Sequence, residues 1–257
     1  PLVFCGTGGI MPAQLPNVEG VLENSAEKLV KPGDRIVMVG GRIGKDGIHG
    51  ATFSSEALTD ASPVSAVQIG DPITQKKMID FLLEARDLGL YSSVTDNGAG
   101  GLSSSIGEMA KDCGGGRIEL DKAPLKYPGL DPWEIFVSEA QERMSVAVPP
   151  DKLGQFLDLS RRRGVESSDL GEFDNSGNLV LAYRGQVVGS LDMHFLHEGL
   201  PELVIPAKWI VPVFPDPSAT ELESYAKKYL LDILSSLNVC SKEPWVRQYD
   251  HEVQGRS

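Results

Sequence analysis

The segment VTDNGAGGLSSSIGEMA, from Val94 to Ala110, constrains the fold more than any other stretch of the chain. An apolar strand predicted over Tyr91 to Val94 leads into a lone acidic residue, Asp96. Gly98, Gly100 and Gly101 follow, and a helical pattern of Leu102, Ile106, Met109 and Ala110 begins at once. A strand that becomes a helix so quickly needs backbone conformations that side chains resist and glycine permits. Bare glycines also allow close approach, and the first N–H groups of the helix point at whatever lies there. A carboxylate just upstream suits a hard cation such as Mg²⁺. Two readings fit the stretch: a phosphate-and-magnesium corner, or a tight turn in which Asp96 caps the helix.

The rest of the chain alternates in the same way. PGDRIVMVGG predicts a turn at Pro32 and a buried β-branched strand running to Gly41. TQKKMIDFLLEARDLGL predicts an amphipathic helix with Met78, Phe81, Leu82 and Ala85 inward and Gly89 at its end. PLVFCGTGGIMP reads as a strand closed by glycines, and GRIELD and Arg143 to Val148 as further strands. DPWEIF reads as a short helix, and PDKLGQFLDLSRRRG as a helix started by Pro and Asp. GEFDNSGNLVLAYRGQVVGSLDM predicts a β-meander with turns at Asn175–Gly177 and Arg184–Gly185. Such alternation argues for an α+β or α/β layered domain over residues 1–199. After Gly199 the texture changes. LPELVIPAKWIVPVFPDPS holds five prolines and reads as an extended linker, followed by one helix capped by Ser218 or Thr220. Residues 200–257 therefore read as a connector to a further domain.

Charge narrows the function. The chain of 257 residues carries a net charge of −12, which argues against nucleic acid or an anionic membrane as partner. Its one basic cluster, Arg161 to Arg163, ends a predicted helix, where it complements the helix dipole. No apolar run approaches the ~20 residues that span a membrane. Cys5, Cys113 and Cys240 lack metal spacing and read as reduced thiols of a cytoplasmic protein. His194 and His197 fall in a segment read partly as strand, where a spacing of three puts them on opposite faces. The start on Pro1, with no signal-peptide pattern, suggests a fragment or a processed chain.

Three more stretches hold candidate site residues. GGRIGKDGIHGATFSS fails the P-loop spacing and reads as a flexible substrate lid or a plain surface loop. In AVQIGDP, Gln68 interrupts an apolar strand, and a buried Gln without partners costs about 1–3 kcal/mol. A ligand or the backbone could satisfy it. In SEAQERM, Glu139 and Gln141 end a loop before a strand, which unaided reads as a charged, solvated loop.

Taken together and in this order, GDRIVMVGGRIGKDGIHGATFSS, VQIGDP, VTDNGAGGLSSSIGEMA and SEAQERM resemble the phosphoribosylformylglycinamidine synthase family. The resemblance covers essentially the whole chain, and the terminal SKEPWVRQYDHEVQG resembles the family's connector into its second half. It implies an α+β fold: the C-terminal domain of the aminoimidazole ribonucleotide synthetase type, with a mixed sheet and helices. A C-terminal helix and an extended linker would follow. The implied activity is an ATP-dependent ligation. Formylglycinamide ribonucleotide and ammonia from a glutaminase give formylglycinamidine ribonucleotide in purine biosynthesis. The N-terminal domain with its catalytic histidine and the second half would lie outside this chain, which alone would be inactive. Residue by residue, the resemblance implies that Gln68, Glu139 and Gln141 contact the substrate and that Asp96 binds Mg²⁺. The residue between Glu139 and Gln141 is usually Ser in the family and is Ala140 here, so only a backbone contact would remain. A non-catalytic module that binds purine precursors or assembles a complex is the alternative.

Overall fold

The computed structural model describes residues 10–17, 19–27, 29–50, 70–201, 203–214 and 222–247. The chain divides into two compact units, Pro1–Glu202 and Leu203–Ser257.

The first unit is built on a seven-stranded sheet. Its strands are β3 (Arg35–Gly40), β4 (Ser93–Asp96), β5 (Gly116–Glu119), β6 (Arg143–Val148), β7 (Ser167–Phe173), β8 (Asn178–Tyr183) and β9 (Gln186–Asp192). They lie in the order β4-β6-β3-β7-β5-β8-β9. Every pairing is antiparallel except that of β5 with β8. A separate hairpin pairs β1 (Gln14–Pro16) with β2 (Leu22–Asn24).

Helices cover both faces, and strand alternation decides which residue meets which helix. Ile36 and Met38 of β3 and Ala147 of β6 face one core, with Leu102, Ile106 and Met109 of helix α2 (Gly101–Cys113) and Ile135 of α3 (Pro132–Val137). Val37, Val39, Val146 and Val148 face the other core. There they meet Met78, Phe81, Leu82 and Ala85 of α1 (Pro72–Asp87) and Phe156 and Leu159 of α4 (Leu153–Arg163). A stretch of strand buried on both faces is apolar at successive positions, as Ile36–Val39 and Val146–Val148 are, while the buried polar residues of β6, Arg143 and Ser145, lie in its first half. The rings of Phe81 and Phe156 meet edge to face at 4.9 Å between α1 and α4.

Several expectations are met and others are corrected. The apolar face expected for α1 is the buried face observed. The strand after α1 begins two residues later than expected and ends on Asp96. Helix α4 starts at Leu153 with Lys152 at its N-cap position, not at the expected Pro-Asp. The meander is only half present: β8 and β9 form a hairpin, but β5 inserts between β7 and β8. His194 and His197 lie on a helix, α5 (Met193–Glu198), because the Asp192 side chain accepts the backbone N–H of Phe195 and caps it. His197 Nε2 lies 3.0 Å from the carbonyl of Gly107. The strand expected at the N-terminus, Cys5, Gln68 with its strand, and the proposed Ser218 or Thr220 cap lie outside the described residues. Cys113 and Cys240 are free thiols.

In the second unit, residues 203–214 form neither helix nor strand and expose Trp209, Ile210 and Phe214. Helices α6 (Leu222–Ser235) and α7 (Glu243–Val246) follow. Among the described residues no helix is long and apolar enough to cross a membrane.

Candidate functional site

Asp96 ends β4 at the sheet edge, and the chain turns at once into α2. The Asp96 side chain is exposed, and its Oδ1 accepts the N–H of Gly98 at 2.9 Å. Gly100 and Gly101 take left-handed conformations at φ 79° and 57°. No side chain caps α2. Instead Glu139, 39 residues away and 7% exposed, accepts the N–H of Gly100 on Oε1 at 3.0 Å. A carboxylate at that place is favoured by the helix dipole.

The approach that Gly101 permits is used by the protein itself. A Cβ there would lie 2.0 Å from the carbonyl oxygen of Ser138. The bare turn, expected to admit a ligand, thus admits the backbone of the loop over residues 138–142. Asn97, beside Asp96, is 1% exposed, and its Oδ1 accepts from Ser145 Oγ at 2.7 Å and from Ser105 Oγ. These bonds tie the turn to β6 and α2.

The 138–142 loop is held from every side. Glu139 N donates to the carbonyl of Asp46 at 2.8 Å. Gln141 Nε2 donates to the carbonyl of Glu139 at 3.0 Å. Glu142 has a positive φ of 57°, and its carbonyl accepts from Gly41 N at 2.9 Å. A Cβ on Gly40 would lie 2.1 Å from that same carbonyl oxygen. So the paired glycines at the end of β3 make room for the loop. Beneath it, buried Arg143 donates from Nε to the carbonyl of Ala140 at 2.7 Å and from Nη2 to that of Ser138 at 2.5 Å. Burial pushes its guanidinium down to about 10, against the attraction of Asp46, so it stays charged at neutral pH. Ala140 itself is fully buried, and its N–H donates to Ser138 Oγ at 3.3 Å.

Glu139 therefore does not sit in the solvated loop that its charged neighbours suggest. The stretch expected as a lid is also held where it is described. Ile43 is fully buried, Lys45 pairs with Glu134 at 2.9 Å, and Asp46 pairs with Lys126 at 2.9 Å. Beyond residue 50 that stretch lies outside the described residues, as does Gln68. Gly70, the first described residue after that gap, is placed so that a Cβ would lie 3.1 Å from Glu142 Oε1. Gln141 and Glu142 line a cavity of about 330 Å³ with Gly40, Gly41, Lys77 and Lys126.

Among the described residues no three or more His, Cys, Asp or Glu side chains cluster to hold a metal. Mg²⁺ needs no such cage, because it binds through one or two carboxylates and completes its octahedron with water and phosphate oxygens. An exposed carboxylate with one oxygen turned to Gly98 fits that donor set.

The chain is similar to known proteins over most of its length. The family model described as AIR synthase related protein, C-terminal domain, matches residues 31–184. Phosphoribosylformylglycinamidine synthase subunit PurL of Methanopyrus kandleri is 40% identical over 235 residues, covering 88% of this chain and 32% of that protein. The PurL subunit of Pyrococcus abyssi is 37% identical, covering 89% of this chain and 32% of that protein. Among solved structures, T. maritima PurL complexed with FGAR matches with a TM-score of 0.64 at 34% identity, over 73% of this chain and 32% of that one. T. maritima PurL complexed with ATP matches with a TM-score of 0.61 at 30% identity, over 77% of this chain and 32% of that one. The chain thus spans about a third of the length of the relatives it matches.

Proposed function

Over residues 31–184 the chain belongs to the family described as AIR synthase related protein, C-terminal domain, and from that premise we propose that it is the substrate-binding portion of an ATP-dependent C–N ligase. The intact enzyme converts formylglycinamide ribonucleotide, ATP and glutamine-derived ammonia into formylglycinamidine ribonucleotide, as a cytoplasmic step of purine biosynthesis. The domains beyond this chain supply the catalytic groups and most of the ATP contacts, and a glutaminase supplies the ammonia. Relatives named as PurL subunits, and PurL structures holding FGAR and ATP, support the reading.

One observation carries it: the carboxylate of Glu139 closes onto Gly100 N, so that the SEAQERM loop and the Asp96 turn form a single corner. Gln68, Glu139 and Gln141 orient the substrate there, and the backbone of Ala140 completes the loop. Holding a reactant in one pose converts entropy already lost on binding into rate, and orientation is this domain's contribution. Asp96 would hold Mg²⁺, which when bound neutralises charge on phosphoryl oxygens.

Calorimetric titration of the intact protein with formylglycinamide ribonucleotide tests the proposal. Binding that Gln68→Ala weakens by roughly 10- to 100-fold, at unchanged melting temperature, is expected. A wild-type protein that does not bind the ribonucleotide overturns it.

A further inference from the structure

Arg143 is 3% exposed, yet among the described residues it forms no ion pair. Its guanidinium meets two carbonyl oxygens and, at 3.8 Å from Nη1, the sulfur of Met38. A buried cation with no ion pair among the described residues, steadied only by the more distant attraction of Asp46, is an expensive way to fill space. Its place shows what the charge does. The two carbonyls it grips, Ser138 and Ala140, flank Glu139 on either side. The Ser138 oxygen is also the atom against which the bare Gly101 packs. The Arg143 backbone in turn is fixed by the sheet, where it opposes Gly40 across the β3–β6 pairing and its carbonyl accepts from Asn97 N at 3.1 Å. One planar fork therefore connects the rigid sheet, the 138–142 loop and the turn that carries Asp96.

We propose that Arg143 is the positioning residue that sets the pose of Glu139 and Gln141 and locks their loop against the glycine turn. It acts through those residues and does not touch the substrate. The inference rests on the proposed function for its kinetic consequence, but its structural consequence stands apart from that reading.

Two substitutions in the intact protein test it. Arg143→Met keeps much of the volume and removes both the charge and the fork. Arg143→Lys keeps the charge and can reach only one of the two carbonyls. Arg143→Met takes the donor from two buried carbonyls, so it is expected to fold with a lowered melting temperature and to raise the KM for formylglycinamide ribonucleotide at least tenfold. The KM for ATP should stay within about twofold. Arg143→Lys should recover part of the loss. Hydrogen exchange at the amides of Gly100 and Glu139 should quicken at least tenfold in Arg143→Met, while amides of β6 beyond Arg143 keep their protection. Wild-type ribonucleotide KM together with wild-type exchange in a folded Arg143→Met protein overturns the proposal. If that variant does not fold, Arg143→Lys decides, and wild-type KM and loop exchange in it are equally fatal. A wild-type protein that ignores the ribonucleotide refutes the proposed function, and the exchange measurement then judges Arg143 alone.

Discussion

The carbonyl oxygen of Ser138 occupies the space that a side chain on Gly101 would take, 2.0 Å from where its Cβ would be. Gly101 also has a φ of 57°, which side chains resist. Gly101→Ala therefore meets backbone that cannot yield like the end of a flexible side chain. Overpacking of this kind costs about 1–3 kcal/mol, and the positive φ adds to it. The expected outcome in denaturant titration is a loss of at least that size, together with weaker ribonucleotide binding. A neutral Gly101→Ala would mean that the 138–142 loop is not pressed against the turn.

Gly154 is the contrasting case. It lies in the first turn of α4, outside the left-handed region, with nothing within 4 Å of a built Cβ. Gly in a helix is worse than Ala by roughly 0.5–1 kcal/mol, mostly through the entropy of the unfolded chain. Gly154→Ala should raise stability by about that amount and leave binding alone. A loss of stability would show that α4 needs freedom at that position.

The contrast between these glycines also explains what is legible in the sequence. Periodicity is a local property, so the inward face of α1, Met78, Phe81, Leu82 and Ala85, can be read directly. Strand partners are not local. Nothing within GEFDNSGNLVLAY says that Gly116–Glu119 will pass between its two strands, so the pattern reads as a meander that the sheet does not contain. The loop at residues 138–142 is the sharper case. Its charged residues look solvated because their partners, Gly100, Asp46 and Gly41, are scattered along the chain. The one clue lies in the glycines that pack against the loop, at 40, 41 and 101, where no hairpin turn requires them. For His194 and His197 the helix cap Asp192 outweighs the strand-like pattern before it.

Asp71 gives the pH prediction. It caps α1, accepting the N–H of Ile73 and Thr74 on Oδ1 and the Thr74 hydroxyl on Oδ2 at 2.8 Å. The Thr74 hydroxyl and N–H hold its carboxyl below the ordinary value of 3.8. A carboxylate whose folded pKa is depressed contributes stability that is complete above the unfolded value and is lost as pH falls through the folded one. Asp71→Asn still caps but does not titrate there. Between about pH 5 and about pH 3 the wild-type melting temperature should fall further than that of the variant. Parallel curves would show that the cap carries no charge-dependent stability.

Asp96→Asn separates the turn from the metal. The amide oxygen can still accept the Gly98 N–H, so the turn should survive and the melting temperature should hold. Only the charge is lost. If Asp96 holds Mg²⁺, turnover of the intact enzyme should fall and recover partly as Mg²⁺ is raised. An unchanged magnesium titration would leave Asp96 with the turn alone.

Gln141 is the residue at which binding and folding are easiest to tell apart. It is half-buried, lines the cavity of about 330 Å³, and donates to the Glu139 carbonyl at 3.0 Å within its own loop. Gln141→Ala removes that bond and any hydrogen bond to a ligand, but leaves untouched the Arg143 fork, the Asp46 bond and the Gly41 bond that hold the loop. Stability should therefore change little. If the Gln141 amide bonds the substrate, its removal should raise the KM for formylglycinamide ribonucleotide by roughly 10- to 100-fold, the equivalent of about 1–3 kcal/mol. Glu139→Gln is its partner experiment. The amide oxygen can still accept the Gly100 N–H, so the corner stays closed while the negative charge disappears. If both variants melt like wild type and both bind the ribonucleotide more weakly, the loop reads the substrate directly. If Gln141→Ala instead lowers the melting temperature and keeps wild-type kinetics, its amide serves the loop and the ribonucleotide is held elsewhere.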